Sequence, residues 1–155
     1  MSDTKLTNPK DRAGSAKLDL GLVPDTMTVY AAMAFTEGAL KYGAFNWRVA
    51  GVRNSIYRAA LDRHIKKYWN GEWADPKTKA PHLANALACI AITLDAHVVG
   101  KLTDDRPPIA DLTSLIDQAE GLVSHLKAMS IDHHPHHCTI MDGQAEALVK
   151  LDEAA

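Results

Sequence analysis

Three consecutive stretches of this chain have the composition of helices, and each of them ends at a glycine. Alanine and leucine outnumber valine and isoleucine, and aromatic residues make up only 6% of the 155-residue chain. Alanine and leucine lose little side-chain freedom in a helix, whereas β-branched residues favour strands. The predicted helices begin near Asp25 or Thr26, near Asn54 and after Pro81, and they end at Gly43, Gly71 and Gly100.

A fourth helix is predicted over residues 109–129, because apolar residues recur there at helical spacing. They form one stripe that consists of Leu112, Leu115, Ile116, Ala119, Leu122, Val123, Leu126 and Met129. Such a stripe requires a partner, either the core of the same domain or another subunit. A short fifth helix is predicted over residues 144–151. The expected fold is therefore an all-α bundle of four to five helices that assembles as a dimer or a tetramer.

The length of the chain suits a single domain with two parts. Residues 1–26 are polar and contain several glycines and prolines, so we expect an extended arm that covers another part of the protein. The linker LTDDRPP at 102–108 ends the part that is rich in chemical motifs. We expect residues 1–108 to form a functional core with this N-terminal arm, and residues 109–155 to form a C-terminal helical extension of the same domain.

Charge and cysteine content restrict the partners and the compartment. The formal net charge is −2, so no overall basic field attracts nucleic acid. No apolar run is as long as a membrane span, and the N-terminus lacks the apolar core of a signal peptide. Cys89 and Cys138 lie far apart without CxxC spacing, so a disulfide framework is not expected. We therefore expect a cytoplasmic protein that binds neither nucleic acid nor a membrane.

The residues that could carry out chemistry are concentrated between positions 37 and 85. They comprise Glu37 with Lys41, Asn46 with Trp47, Arg58 with Asp62, Arg63 with Lys67, Glu72 with Asp75, and His82 with Asn85. Several of these pairs share a helix face because they are three or four positions apart. Each also has a simple structural interpretation as an ion pair, a helix cap, a core tryptophan or a histidine that satisfies local backbone. Taken singly, none of them identifies a function.

A hydrolase that acts on a polyphosphate needs these residue types together. Carboxylates hold Mg²⁺ or Mn²⁺, which bridges phosphate oxygens and water. Lysine and arginine neutralise charge that moves to the departing diphosphate, and an aromatic ring can stack on a base. Helical bundles commonly build metal sites from carboxylates that point inward from facing helices.

A second cluster of potential metal ligands lies at residues 132–138, with the sequence DHHPHHC. The tract is rich in zinc and nickel ligands, but its central proline and adjacent histidine pairs do not match the spacing of structural zinc sites. We interpret it as a flexible loop with opportunistic affinity for metals. The alternative is a non-catalytic nucleotide- or metal-binding helical module in which this loop is the working part.

Four segments of the chain together resemble a known family. They read NPKDRAGSAKLDLGLVP (8–24), EGALKYGAFNWRVAGVR (37–53), RHIKKYWNGEWADPKTKAPHLANAL (63–87) and GKLTDDRPP (100–108). In this order they resemble the phage-encoded dATP/dGTP diphosphohydrolases, which are similar to the MazG-like all-α NTP pyrophosphohydrolases and include the MazZ enzymes of phages that replace adenine with 2-aminoadenine. The resemblance covers about residues 8–108, and it makes these residues the expected pyrophosphohydrolase core.

The resemblance implies a metal-dependent enzyme in a helical oligomer that acts on a purine deoxynucleoside triphosphate. It implies cleavage between the α- and β-phosphates to the monophosphate and diphosphate, with dGTP as the expected best substrate and dATP as the alternative. For a phage-encoded protein it also implies the host cytoplasm, and dGMP as a precursor for 2-aminoadenine nucleotides.

The residue roles that follow are expectations. MazG-like enzymes carry ExxE on one helix and ExxD on the next, whereas this chain has Glu72 and Asp75 as one pair and HLAN at 82–85 in place of the other. The expected metal ligands are Glu37, Glu72 and Asp75, with Asp62 as a further member. A metal-activated water attacks the α-phosphorus, and a carboxylate or His82 accepts its proton. The expected substrate contacts are Lys41, Arg58, Arg63 and Lys67 at the triphosphate, Asn46 and Trp47 at the base, and Asn85 beside them.

Other hydrolase classes lack their signatures in this sequence. It has no HD dipeptide, no run of clustered glutamates of the Nudix type and no P-loop GxxxxGK[ST]. A dUTPase-like fold needs many strands, which the composition does not favour.

Overall fold

The computed structural model describes residues 9–14 and 16–142, and most of them are helical. The helices of this part of the chain are α1 (Pro9–Gly14), α2 (Asp25–Tyr42), α3 (Trp47–Ala50), α4 (Asn54–Trp69), α5 (His82–Val98) and α6 (Leu112–Met129). A 3₁₀ turn spans Leu20–Leu22, and two short strands are β1 (Val52–Arg53) and β2 (Leu102–Thr103). The prediction of an all-α fold is confirmed.

Helix α5 is central to the first of two compact units, residues 1–107, because it packs against both α4 and α2. Ala84 and Ala88 of α5 meet Ala34 of α2 in one buried cluster. Further along α5, Ala96 lies in a second cluster, which includes Trp47. Alanines at these contacts let the helix axes approach closely, since the separation of packed helices depends on the side chains between them.

The two strands connect the start of α4 to the segment that follows α5. They pair in parallel, with Val52 opposite Leu102 and Arg53 opposite Thr103. Gly51 precedes β1 with a φ of +77°, and a Cβ at this position would lie 3.0 Å from the carbonyl oxygen of Lys101. Glycine is therefore the residue that this close approach requires. Just beyond β2, Asp105 accepts hydrogen bonds from the backbone N–H of Ser55 (2.8 Å) and from its hydroxyl (2.5 Å), which caps the first turn of α4.

The first three predicted helices agree with the structure to within about two residues at each end, whereas the fourth begins at Leu112 and not at residue 109. Helix α2 begins at Asp25 and α5 begins directly after Pro81, while α2 ends one residue before Gly43. The four-residue helix α3 was not predicted, because one helical turn carries no periodic pattern that could identify it.

The N-terminal segment, which we expected to be an extended arm, contains short helical segments among its described residues. The segment contains α1 and the 3₁₀ turn, which Asp19 caps by accepting a hydrogen bond from the backbone N–H of Gly21 at 2.9 Å. Its leucines at 18, 20 and 22 are between 74% and 86% exposed, and the expected covering role stays a prediction.

The second compact unit comprises residues 108–155 and contains α6. Asp111 caps this helix by accepting a hydrogen bond from the backbone N–H of Ser114 at 3.0 Å. The fifth helix predicted over residues 144–151 lies outside the described residues. Within the described part of the chain, no helix has both the length and the apolar character needed to cross a membrane.

Candidate active site

The turn between α2 and β1 is fastened to α5 through a single carboxylate. The indole N–H of Trp47 donates a hydrogen bond to Asp95 Oδ2 at 2.6 Å. The guanidinium of Arg48 donates to both oxygens of the same carboxylate, at 2.8 and 2.7 Å. These donors stabilise the charged form and lower the pKa of Asp95 to about 2, with the Arg48 hydrogen bond as the larger cause. Asp95 therefore determines where the turn lies relative to α5.

The ring of Trp47 is part of the core. Its centroid lies 5.6 Å from that of Phe35 and 5.4 Å from that of Phe45, and the residue is only 9% exposed. Neighbouring rings and the bond to Asp95 thus occupy much of the indole. The predicted stacking of Trp47 on a nucleobase stays a prediction, and the geometry favours the simpler interpretation as a core residue.

Helix α2 carries Glu37 and Lys41 on one face, and the two side chains form an ion pair. One oxygen of Glu37, Oε1, accepts the hydrogen bond from Lys41. The other, Oε2, is buried and has no hydrogen-bond partner among the described residues. A buried carboxylate oxygen without a partner is costly, and such atoms commonly mark a position for an ion, a water or a ligand.

The loop between α4 and α5 fixes Asp75 by local hydrogen bonds. Its Oδ1 accepts from the backbone N–H groups of Lys77 (2.9 Å) and Thr78 (3.0 Å), and these bonds lower the pKa of Asp75. The backbone N–H of Asp75 donates to Ala80 at 3.0 Å. The loop is therefore shaped by its own backbone, and it holds an ionised carboxylate at its bend.

Glu72, His82 and His64 form a chain of contacts from the same loop into α4. His82 is fully buried at the start of α5, and its Nε2 lies 3.1 Å from Glu72 Oε1, although the two atoms are not aligned as a hydrogen bond. On the other side of the ring, His82 Nδ1 lies 3.0 Å from Nδ1 of His64. His82, together with Lys67 at 3.2 Å, lowers the pKa of Glu72. Burial, followed by the neighbouring His82, lowers the pKa of His64.

These elements surround a cavity of about 460 Å³ between α2, α4 and α5. Its polar lining residues are Glu37, Lys41, Tyr42, Asn46, Tyr57, His64, Asp75, Thr78 and Asn85. Trp47, Phe35 and several alanines contribute apolar walls. A volume of this size suits a small-molecule ligand, and a few polar groups on mostly apolar walls are typical of such sites.

The structure brings together six of the predicted site residues and leaves the others outside the cavity lining. The lining includes Glu37, Lys41, Asn46, Trp47, Asp75 and Asn85. Glu72 and His82 contact each other behind His64. Arg58 and Asp62 form an ion pair with each other at 2.9 Å and do not line the cavity. Lys67 and Arg63 do not line it either, but both are close enough to lower the pKa of His64.

His64 is the most informative residue that sequence reasoning missed. We grouped the polar residues of α4 by the faces of Arg58 and Arg63, whereas the face toward the cavity carries Tyr57, Ala60 and His64. These three positions have the spacing i, i+3, i+7 of one helix face. The small Ala60 between two larger residues was the sequence signal that could have indicated that this face lines a cavity. Asp95 was also missed, because its partners lie 47 and 48 positions away.

The described residues contain no ready-made metal site with three or more His, Cys, Asp or Glu ligands. This includes the tract at 132–138, where His136 Nε2 lies 2.8 Å from Asp142. The carboxylates of the cavity nevertheless fit one kind of metal centre. Mg²⁺ is commonly held by one or two carboxylates together with substrate phosphates and water, and Glu37 and Asp75 supply two carboxylates.

Comparison with known proteins identifies the first compact unit. Residues 7–106 match the family model described as dATP/dGTP diphosphohydrolase, N-terminal. No curated protein matches the chain significantly, and no solved structure does so either. The matched segment contains all the residues that line the cavity.

Proposed function

The chain belongs to the dATP/dGTP diphosphohydrolase family and is a nucleotide hydrolase, and on this premise we propose that its cavity hydrolyses a purine deoxynucleoside triphosphate between the α- and β-phosphates. The products are the deoxynucleoside monophosphate and diphosphate. One observation carries the proposal: the unpartnered Oε2 of Glu37, the ionised Asp75 and the ammonium of Lys41 belong to one cavity of nucleotide-binding size.

Glu37 and Asp75 are the residues that would hold Mg²⁺ or Mn²⁺ in this proposal. Glu37 offers an oxygen that has no hydrogen-bond partner among the described residues, and Asp75 is ionised and oriented by backbone donors. The bound cation would neutralise charge on the phosphate oxygens and favour deprotonation of water. The remaining predicted ligands are less well placed, since Glu72 contacts His82 and Asp62 pairs with Arg58.

Basic and amide side chains support binding of the rest of the substrate. Lys41 is the basic residue among those that line the cavity, so its ammonium can contact the triphosphate there, while Arg63 and Lys67 lie on α4 outside the lining and contribute positive charge from a greater distance. Asn46 and Asn85 offer amides that can hydrogen-bond a purine edge. Of the aromatic residues, Tyr57 and Tyr42 line the cavity and have more free ring surface than Trp47.

We assign the proton acceptor to His64, with His82 and Glu72 as positioning residues. The negative charge of Glu72 favours the proton of His82 on Nε2, which leaves the lone pair of His82 Nδ1 to accept from His64 Nδ1–H. His64 then keeps an unprotonated Nε2. As water attacks the α-phosphorus, this nitrogen takes its proton, and the bond to the oxygen between the α- and β-phosphorus atoms breaks as diphosphate leaves.

The proposal also includes a biological role. The resemblance to phage enzymes supports a supply of dGMP for 2-aminoadenine nucleotides in an infected cytoplasm. This role requires dGTP as the preferred substrate, because dATP would yield the wrong monophosphate.

Product analysis tests the reaction. Purified full-length protein is incubated with each dNTP and NTP, with Mg²⁺, with Mn²⁺ or with EDTA, and chromatography separates mono-, di- and triphosphates. We expect dGMP and diphosphate from dGTP only when a divalent cation is present. Formation of dGDP would contradict the cleavage position, and nucleotide binding without turnover would favour the non-catalytic module.

Two matched variants locate the metal. Glu37→Gln removes a carboxylate that lines the cavity, whereas Asp62→Asn removes one that is paired with Arg58 outside the lining. We expect loss of at least ~10²-fold in turnover for Glu37→Gln, since an amide cannot replace an anionic ligand. Asp62→Asn should remain within about twofold of the unsubstituted protein, because an exposed ion pair contributes little. Equal losses in both variants would contradict this assignment.

A further inference from the structure

The apolar stripe of α6 lies outside the family-matched segment and has no role in the proposed reaction. Its large members, which are Leu112, Leu115, Ile116, Leu122, Val123, Leu126 and Met129, are between 47% and 71% exposed. Exposed apolar side chains that form a continuous row along a helix indicate an interaction surface.

The spacing within the stripe is symmetrical. Six of its residues are separated by three, four, three, four and three positions: Leu112, Leu115, Ala119, Leu122, Leu126 and Met129. This is the pattern of the a and d positions of a heptad repeat, which form the seam between two packed helices. Because the spacing reads the same from either end, an antiparallel copy matches in one register. That register sets 112 against 129, 115 against 126, and 119 against 122.

Side-chain size agrees with this register. At the centre, the small Ala119 of one helix faces Leu122 of the other, so a large residue meets a small one in both directions. The centre of the seam is therefore suited to close packing of the two copies.

Charge favours the antiparallel direction over the parallel one. The first half of the segment carries Asp111, Asp117 and Glu120, whereas the second half carries His125 and Lys127 without an acidic residue. Antiparallel pairing places the acidic half of one copy along the half of the other that carries Lys127, and it also opposes the two helix dipoles. Parallel pairing would set acidic residues beside acidic residues.

The available area is large enough for a specific contact. Covering the five large seam side chains, at on the order of 100 Å² each, removes roughly 1,000 Å² from water over two copies, which reaches the area of about 1,000 Å² that a specific interface needs. Ile116 and Val123 lie beside the seam and stay exposed on one side of the helix pair. Packing of two such pairs against each other, as in a tetramer, could bury these residues.

We propose that α6 is a self-association element that pairs antiparallel with α6 of a second copy of this chain. The pairing would join two hydrolase units through their C-terminal extensions. The proposal does not depend on the substrate, so failure of either one leaves the other open to its own test.

Light scattering coupled to size-exclusion chromatography of the full-length protein tests the association. We expect a mass of two or four copies, and Leu122→Asp should halve this mass or reduce it to that of one copy. Ser124→Asp adds the same charge two positions away, outside the stripe, and should leave the mass unchanged. A monomeric unsubstituted protein, or a Leu122→Asp variant that keeps its helical circular dichroism and its full mass, would overturn the proposal.

Disulfide cross-linking tests the direction of pairing in a Cys89→Ala, Cys138→Ser background. Leu115→Cys alone and Leu126→Cys alone should give no cross-linked dimer on oxidation, whereas the variant with both cysteines should give one. Positions 115 and 126 lie about 16 Å apart along a single helix, so they cannot bridge within one chain. Efficient cross-linking of either single variant would indicate parallel pairing and overturn the antiparallel register.

Discussion

Replacing Trp47 by alanine separates its structural role from a direct role in base recognition. Its side chain is 9% exposed and packs in a cluster with Val52, Ala96 and several larger apolar residues, so its loss leaves a space that these neighbours cannot fill without rearrangement. A tryptophan that buries on the order of 200 Å² of apolar surface contributes about 5 kcal/mol to the free energy of unfolding, at 25 cal/mol per Å². Measured costs of such truncations are about 3–5 kcal/mol. We therefore expect Trp47→Ala to lower the free energy of unfolding by about 3–5 kcal/mol, which is a large part of the stability of a typical domain.

Urea unfolding followed by circular dichroism at 222 nm measures this change, and Trp69→Ala is the matched control. Trp69 is 84% exposed, so its loss should cost less than about 1 kcal/mol. If Trp47 instead served mainly to stack on a base, Trp47→Ala would raise KM for dGTP and leave the unfolding midpoint near that of the control. That outcome would refute the assignment of Trp47 to the core.

Four further predictions concern the site and its surroundings. His64→Gln should lower kcat by about 10²–10⁴-fold while the helical content stays intact. In the unsubstituted protein, kcat should decrease at a pH below 6.5, because activity needs neutral His64 and the pKa of His64 is lowered from 6.5. His64→Gln should remove this acidic limb of the pH profile. Glu72→Gln should reduce kcat without raising the Mg²⁺ concentration needed for half-maximal rate. A higher Mg²⁺ concentration at half-maximal rate would indicate that Glu72 is a metal ligand. The pKa of Asp95 is about 2 in the folded protein, against 3.8 ordinarily. Ionised Asp95 therefore stabilises the fold above about pH 4, and this contribution is lost as the pH falls toward 2. Asp95→Asn should remove this decrease from a plot of the free energy of unfolding against pH. Deletion of residues 132–138 should leave dGTP hydrolysis in place, and loss of activity in a folded deletion would assign the second unit a catalytic role.

The helices were predictable because their signals are local. Asp25 and Pro81 lie at helix starts and Gly43 at a helix end, where residue type affects the nearby backbone, and apolar spacing depends only on the helical repeat. The local structure of the N-terminal segment was less predictable for a related reason. A polar segment with glycine and proline is compatible with both extended chain and single helical turns, and the cap from Asp19 selected the 3₁₀ turn.

The site was only partly predictable, since residue types do not reveal which helix face meets which neighbour. Glu37 and Asp75 were candidates by type, and the cavity contains both of them. Asp62 was an equally good candidate by type, but it pairs with Arg58 and does not line the cavity. No spacing rule distinguishes these carboxylates before the packing of α4 against α5 is known.

By itself, the sequence determined the helical class, the positions of the main helices and the family to which residues 7–106 belong. Backbone preference and motif order act over a few residues, so they can be read along the chain. Only the tertiary structure decided that His82 meets His64 across 18 positions, and that Asp95 holds Trp47 across 48 positions. These contacts depend on the rotation of each helix about its axis. The packing of α5 against α2 and α4, with buried alanines between α2 and α5, sets this rotation, and no local pattern encodes it.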